Sequence, residues 1–486
     1  MKQEVTFKEL KASGYTERTI NEEMQANLIA RIKAGKSVFE GLWGYEDTVV
    51  PQLKKAILAG HHINLLGLRG QAKTRIARSM VDLLDEYLPI VKGSEINDSP
   101  FEPISKFARD LIEEHGDETP IAWVHRSNRF YEKLATPDVN VSDLIGDIDP
   151  IKAATLKLPY SDERVLHYGM IPRANRCIFV LNELPDLQAR IQVSLFNILQ
   201  EGDIQIRGFQ LRMPLDIQFV FTANPEDYTN RGSIVTPLKD RIGSQIFTHY
   251  PKTIELAKAI TAQEARISAE DRSSVYVPEL AKDLLEQVAF EARESEYVDS
   301  KSGVSARMTI SGMENLIAGA KLRLIESDGD RTAVRLIDFM SIIPSITGKI
   351  ELVYEGEQEG ADEVAKLLID QAIITEFEKR FPRVPKLEKE GVNTPYTDII
   401  KWFDSNYIEL NYTDVDEEFI QNLSTIEPLT ELMDEYCPDL KGSNKAFCME
   451  MVIWSLAVSN KLDKSATEGA FKFDTEGLSE SFFGNN

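Results

Sequence analysis

The stretch Leu65–Arg75, LLGLRGQAKTR, constrains this chain more than any other part of it. A short apolar run enters a segment with two glycines, a Lys-Thr pair follows, and IARSMVDLLDEY continues with helical spacing. That order reads as strand, tight loop, helix, the layout of an α/β sheet whose strands turn directly into helices. Gly67 and Gly70 let backbone N–H groups curl inward, and the dipole at the next helix's N-terminus favours the same ligand, an anion of phosphate geometry. Arg69, Gln71, Ala72 and Arg75 complete the loop. Lys73 is expected to reach the β- and γ-phosphates of ATP and Thr74 to hold Mg²⁺. The pattern G-x-x-x-x-G-K-[ST] has Ala72 where its last glycine belongs, so the loop must accommodate a Cβ there.

Composition narrows the setting. A chain of 486 residues exceeds one ordinary core and predicts two or three domains. Its apolar runs are too short to span a bilayer, and MKQEVTFKEL lacks the apolar centre of a signal peptide. Three cysteines, Cys177, Cys437 and Cys448, are odd in number and widely separated, with no C-x-x-C spacing for zinc or redox work. A cytoplasmic protein is expected, without membrane insertion. The net charge of −24 would repel a phosphodiester backbone, and no basic stripe offsets it, so a nucleic-acid partner is not expected.

Further along, CIFVLNELPDL contains a short continuous apolar run, as in a strand buried on both faces of a parallel sheet. Asn182 and Glu183 stand at its C-terminal end, the edge where open α/β sheets hold ligands. Glu183 is therefore a candidate general base for a water attacking a phosphate. Asn182 stands beside it as a candidate Mg²⁺ contact that keeps an acceptor oxygen without the charge of an aspartate. DIQFVFTANP is a second buried strand ending in Asn224, placed either to touch the same ligand or to make an ordinary Asn-Pro turn. Before the loop, Tyr45 and Val49 are candidate adenine contacts or plain core residues. Hairpins are expected around Gly169 and around Gly208, with Phe209 near the second tip. Arg241, in PLKDRIGSQI, would be a solvated charge if taken alone.

Taken together, the ordered set G-x-x-G-x-A-K-T, strand-N-E, hairpin, strand-T-A-N-P, L-x-D-R and a later S-x-R resembles the AAA+ ATPases. More narrowly it resembles the clade of the MoxR ATPases and the magnesium-chelatase motor subunit, over about Gly41 to Ile350. The resemblance implies Glu183 as general base, Asn224 as sensor 1, Arg241 as an arginine finger reaching a neighbouring subunit, and Arg307 as sensor 2. It also implies a ring, most often a hexamer, and a protein partner carrying a von Willebrand A-type domain. Asn182 departs from the family's acidic pair.

The expected organisation is an N-terminal helical segment (1–40), a P-loop core (41–250), a helical lid (251–350) and an acidic helical C-terminal region (351–486) mobile from about Asp463. The implied function is an ATP-hydrolysing motor that remodels a protein or assists metal insertion or complex maturation. Two alternatives stand beside it: the motor subunit of a magnesium or cobalt chelatase, and a nucleotide-gated scaffold with little hydrolysis because of Asn182.

Overall fold

The computed structural model describes residues 3–160, 162–206, 212–225, 233–327, 329–385, 394–467 and 470–475. The chain divides into two compact units, Met1–His249 and Tyr250–Asn486.

The first unit is built on five strands: β1 (Ile63–Leu66), β2 (Phe130–Leu134), β3 (Cys177–Asn182), β4 (Ile217–Ala223) and β5 (Ser244–Phe247). They pair in the order β5-β1-β4-β3-β2, all parallel, with Val220 opposite Ile63, Phe221 opposite Leu181 and Leu134 opposite Asn182. Every residue of β1 and β4 is buried, which is why these strands read as apolar runs and not as alternating patterns. The helices α1 (Ile20–Lys33), α2 (Val49–Leu58) and α3 (Lys73–Ser79) contribute apolar residues to one cluster with β1, and α4 (Phe196–Glu201) and α5 (Thr236–Arg241) contribute to another.

The N-terminal segment expected at 1–40 is part of this unit. A Thr19–Glu22 capping box starts α1, which buries Ile20, Met24 and Leu28 in the core. Its Glu23 forms a two-pronged ion pair with Arg129 at 2.6 and 2.7 Å, the guanidinium having no solvent exposure. Tyr87–Val91 and Pro120–His125 pair antiparallel, with Val5–Thr6 on the other edge of Pro120–His125. Tyr87 lies inside the stretch that reads as one helix after Lys73, whereas that helix ends at Ser79 and passes through a 3₁₀ turn to Leu83.

The hairpin expected around Gly169 is displaced. Gly146–Ile148 pairs with Leu166–Tyr168 across an inserted helix, and Gly169 caps the next short helix, approaching the Leu144 carbonyl too closely for any Cβ. Around Gly208, Asp203–Gln205 pairs with Arg212–Pro214, while the turn with Gly208 and Phe209 lies outside the described residues.

In the second unit α6 (Ile254–Glu264), α7 (Glu279–Glu294), α8 (Arg307–Glu326), α9 (Ala361–Glu378) and α10 (Gly442–Val458) are joined by a three-stranded antiparallel sheet of Ile408–Asn411, Asp463–Thr467 and Ala470–Asp474. One hydrophobic core runs from Ala265 to Phe473, so the lid and C-terminal segments expected at 251–350 and 351–486 share their interior. Within the segment expected to be mobile from Asp463, Asp463–Thr467 and Ala470–Asp474 are strands, with Phe473 fully buried and packed with Phe471 around the Trp454 ring, while 476–486 lie outside the described residues. Cys437 and Cys448, eleven positions apart, are neighbours, and the Cys448 thiol holds that of Cys437 below its usual range. No helix among the described residues is long and apolar enough to cross a membrane.

Candidate active site

The glycine-rich loop leaves the C-terminal end of β1 and enters α3. Gly67 donates its N–H to the Ala223 carbonyl of β4 at 3.1 Å, which pins the start of the loop to the sheet. A Cβ on Gly67 would lie 1.9 Å from Thr248 Oγ1 and 2.2 Å from Gln71 Oε1, so only glycine fits there. Those two atoms are themselves bonded, Thr248 donating to Gln71 at 2.8 Å. Gly70 and Ala72 both adopt left-handed backbone conformations, with φ of 74° and 55°. The expectation that Ala72 must be accommodated is met by the chain accepting the conformation a glycine would take freely.

Lys73 points back into the loop. Its ammonium donates to the carbonyls of Gly67 and Leu68, the latter at 3.0 Å, and to Asn224 Oδ1 at 3.1 Å. Asn224 ends β4 and is buried. On the other side of β4, Glu183 follows β3 with φ 55° and ψ 48°, a left-handed conformation that costs a glutamate roughly 1–3 kcal/mol. Its backbone N–H donates to the Thr222 hydroxyl at 3.1 Å. The loop after β1, Asn224 after β4 and Glu183 after β3 thus occupy the same ends of three adjacent strands, and Lys73 spans two of them.

Thr74 lies in the first turn of α3 and Asn182 ends β3. Among the described residues no cluster of three or more His, Cys, Asp or Glu is arranged to hold a metal ion. The oxygen donors of Thr74 and Asn182 suit a hard cation that keeps several waters and has most of its charge offset by phosphate, as Mg²⁺ does.

Tyr45 and Val49 belong to the core. Val49 is fully buried and Tyr45 nearly so. The Tyr45 hydroxyl lies 2.9 Å from the Gln71 carbonyl and 2.8 Å from the His249 carbonyl, which ties the loop to the end of the first unit. No local pattern announces this brace, since Thr248 and His249 carry no motif of their own. Arg69 is exposed at the loop tip, while Gln71 is buried and Arg75 lies partly covered in α3.

Arg241 ends α5 and is held there: Nε and Nη2 donate to Gln200 Oε1 at 3.0 and 2.8 Å, Nη1 donates to the Pro237 carbonyl at 2.7 Å, and the guanidinium covers the Phe196 ring. Arg307 opens α8 in the second unit with its side chain exposed.

Residues 159–242, which include β3 and β4, match the Sigma-54 interaction domain family. The magnesium-chelatase subunit ChlI of Oryza sativa subsp. indica is 23% identical over 298 residues, covering 58% of this chain and 68% of the relative. The chain is related to the magnesium-chelatase motor subunits. The 38 kDa magnesium-chelatase subunit of Cereibacter sphaeroides is 24% identical over 237 residues, with 47% of this chain and 63% of the relative covered. Among solved structures, the BchI–BchD complex of magnesium chelatase aligns at 18% identity and a TM-score of 0.35, over 66% of this chain and 98% of the other. NtrX from Brucella abortus in complex with ADP aligns at 13% identity and a TM-score of 0.35, over 76% and 66%. These two structural similarities are too low to carry an argument. The sheet, its loop and the sequence relatives make this an AAA+-type P-loop core followed by a mostly helical region.

Proposed function

We propose that this chain is a Mg²⁺-dependent ATPase motor that couples nucleotide turnover to the remodelling of a protein partner. One observation carries the reading: the glycine-rich loop, Asn224 and Glu183 stand at the same ends of three neighbouring strands, with Lys73 bonded to Asn224 across the gap. In this reading Lys73 exchanges the loop carbonyls for phosphate oxygens when ATP enters, its charge meeting that of the β- and γ-phosphates. Glu183 takes the proton of the attacking water, and Asn224 orients that water or the γ-phosphate. Thr74 and Asn182 would hold Mg²⁺, which when bound offsets the charge of the phosphate oxygens. The left-handed turn at Glu183 is a fixed, strained presentation of the carboxylate, the kind of strain kept where a side chain must be aimed.

Arg241 acts as the finger on a neighbouring copy's nucleotide, so the active form is a ring, by family resemblance a hexamer. Gln200 keeps its guanidinium extended and in place for that encounter. Arg307 serves as sensor 2. The partner is a protein with a von Willebrand A-type domain, engaged in the cytoplasm during metal insertion or complex maturation; the chelatase relatives make a motor subunit for magnesium or cobalt insertion a narrower form of the same reading.

Steady-state phosphate release under oligomerising conditions tests it. The wild-type chain is expected to hydrolyse ATP with Mg²⁺, and Lys73→Ala or Glu183→Gln to lose about 10²–10³-fold, the scale of removing a positioned catalytic group. Equal inactivity of all three would sink the motor. A scaffold that binds ATP with little hydrolysis is the second reading, favoured by the neutral Asn182. Tight nucleotide binding with wild-type turnover no faster than that of Glu183→Gln would select it.

A further inference from the structure

Asn182 is wired in a way that an aspartate could not reproduce. Its Nδ2 donates to Glu132 Oε1 at 2.6 Å, and its Oδ1 accepts the Thr222 hydroxyl at 3.0 Å. Because a carboxylate can only accept, the amide must turn its nitrogen toward Glu132. Thr222 spends its one proton on Asn182 and accepts the Glu183 N–H at 3.1 Å. The polarity of the chain Glu183, Thr222, Asn182, Glu132 is therefore fixed from end to end.

Glu132 lies on β2, two residues before the register partner of Asn182, and 24% of its side chain is exposed. Its other oxygen meets Arg78 of α3 at 2.6 Å, but that arginine side chain is 62% exposed, so solvent screens the pair. An aspartate at 182 would bring a second carboxylate within hydrogen-bond distance of the first, and two carboxylates sharing one site do not both ionise without cost. A second carboxylate at 182 is therefore disfavoured, and this chain has its one carboxylate of the pair at 132 and an amide at 182.

We propose that Glu132 is a positioning residue that places a negative charge behind the Asn182 amide, acting through it on the Mg²⁺ of a bound nucleotide. The proposal rests on the ATPase reading above. It also means that Asn182→Asp alone is no repair: the added charge meets Glu132.

Fluorescently labelled ATP is titrated into the full chain with and without Mg²⁺, for wild type, Glu132→Gln, Glu132→Asp, Asn182→Asp and the double variant Glu132→Gln/Asn182→Asp, with circular dichroism verifying the fold of each. Wild type is expected to bind more tightly with Mg²⁺. Glu132→Gln should lose about tenfold of that tightening, the scale of removing a group behind a metal ligand, with the loss confined to the Mg²⁺ titration. Asn182→Asp should lose as well. Glu132→Asp and the double variant, each with one charge, should regain most of it. If Glu132→Gln keeps the wild-type Mg²⁺ effect, or the double variant is no better than the two singles, Glu132 does not have this role although nucleotide binding stands. If wild type binds no nucleotide in either condition, the ATPase reading itself fails.

Discussion

In the first unit the polar groups at the C-terminal edge of the sheet are hydrogen-bonded to one another and to the loop yet remain partly open to solvent, as at Lys73, Asn182 and Glu183. The second unit closes its charges off. Arg323 and Asp338 are each 1% exposed and paired, with Arg323 donating also to the Ala333 carbonyl at 2.6 Å. Arg335 reaches the Asp414 carbonyl at 2.6 Å and Asp416 at 2.9 Å while lying over the Phe419 ring. Glu450, in the middle of α10, accepts the N–H groups of Leu336 and Ile337 at 2.6 and 3.2 Å and so caps the turn they begin. Groups that exchange partners with a ligand are left reachable; groups that fix one packing arrangement are sealed among themselves.

The largest test of this contrast is Arg323→Met. Removing the guanidinium leaves Asp338 buried without its counter-charge, and burial already pushes that carboxyl's pKa upward. A loss of about 3–5 kcal/mol in denaturant unfolding is expected. A cost below about 1 kcal/mol, within the range of an exposed pair, would erase the distinction between the units.

The next test is pH. Glu286, buried between α6 and α8 and accepting the Thr261 hydroxyl at 2.5 Å, has its pKa pushed from 4.5 up to about 7 by burial, against the hydrogen bonds from Thr261 and Thr309 and the charges of Arg293 and Lys258. The folded state therefore holds this proton more tightly than the unfolded state. Its contribution is complete below pH 4.5 and is lost as pH rises through about 7. Glu286→Gln, which stays neutral, should remove on the order of 1–3 kcal/mol of that decline, read as a flatter melting-temperature profile between pH 5 and pH 8. A mutant profile parallel to wild type would show that this glutamate is not a sealed neutral group.

The smallest expected effect belongs to the reachable side. Ala72→Gly relieves a left-handed alanine and should stabilise the chain by about 0.5–1 kcal/mol, the conformational gain less the added freedom of the unfolded chain. A destabilisation would mean that the Ala72 methyl contributes more in packing than the backbone loses in strain.

The centre of the sheet was legible in the sequence because β1, β3 and β4 are buried on both faces and read as apolar runs, and the ends of β3 and β4 were legible because Asn182, Glu183 and Asn224 follow those runs with polar residues. What sequence could not supply depends on pairing across distance. Glu132 sits 50 residues from Asn182, in an edge strand with no buried residue to mark its face. The antiparallel sheet of Tyr87–Val91 with Pro120–His125 is separated by a helix and a turn, so no local pattern announces it. The joint core of the second unit is invisible for the same reason: α10 looks like an isolated apolar helix until Glu450 is seen capping residues over a hundred positions earlier. Tyr45 and Val49 were open in sequence to either ligand contact or core packing, and in the structure both are buried in the core of the first unit.

The close approach of Gly67 to Thr248 has a consequence for biosynthesis. The loop emerges from the ribosome early, yet the strand that flanks it and the hydroxyl that shapes its floor arrive some 180 residues later. Until β5 is made, β1 has an open edge and Gln71 lacks its partner. The site is therefore completed only when the whole first unit has been translated, and a nascent chain stopped short of Thr248 would carry every residue of the glycine-rich motif without its shape.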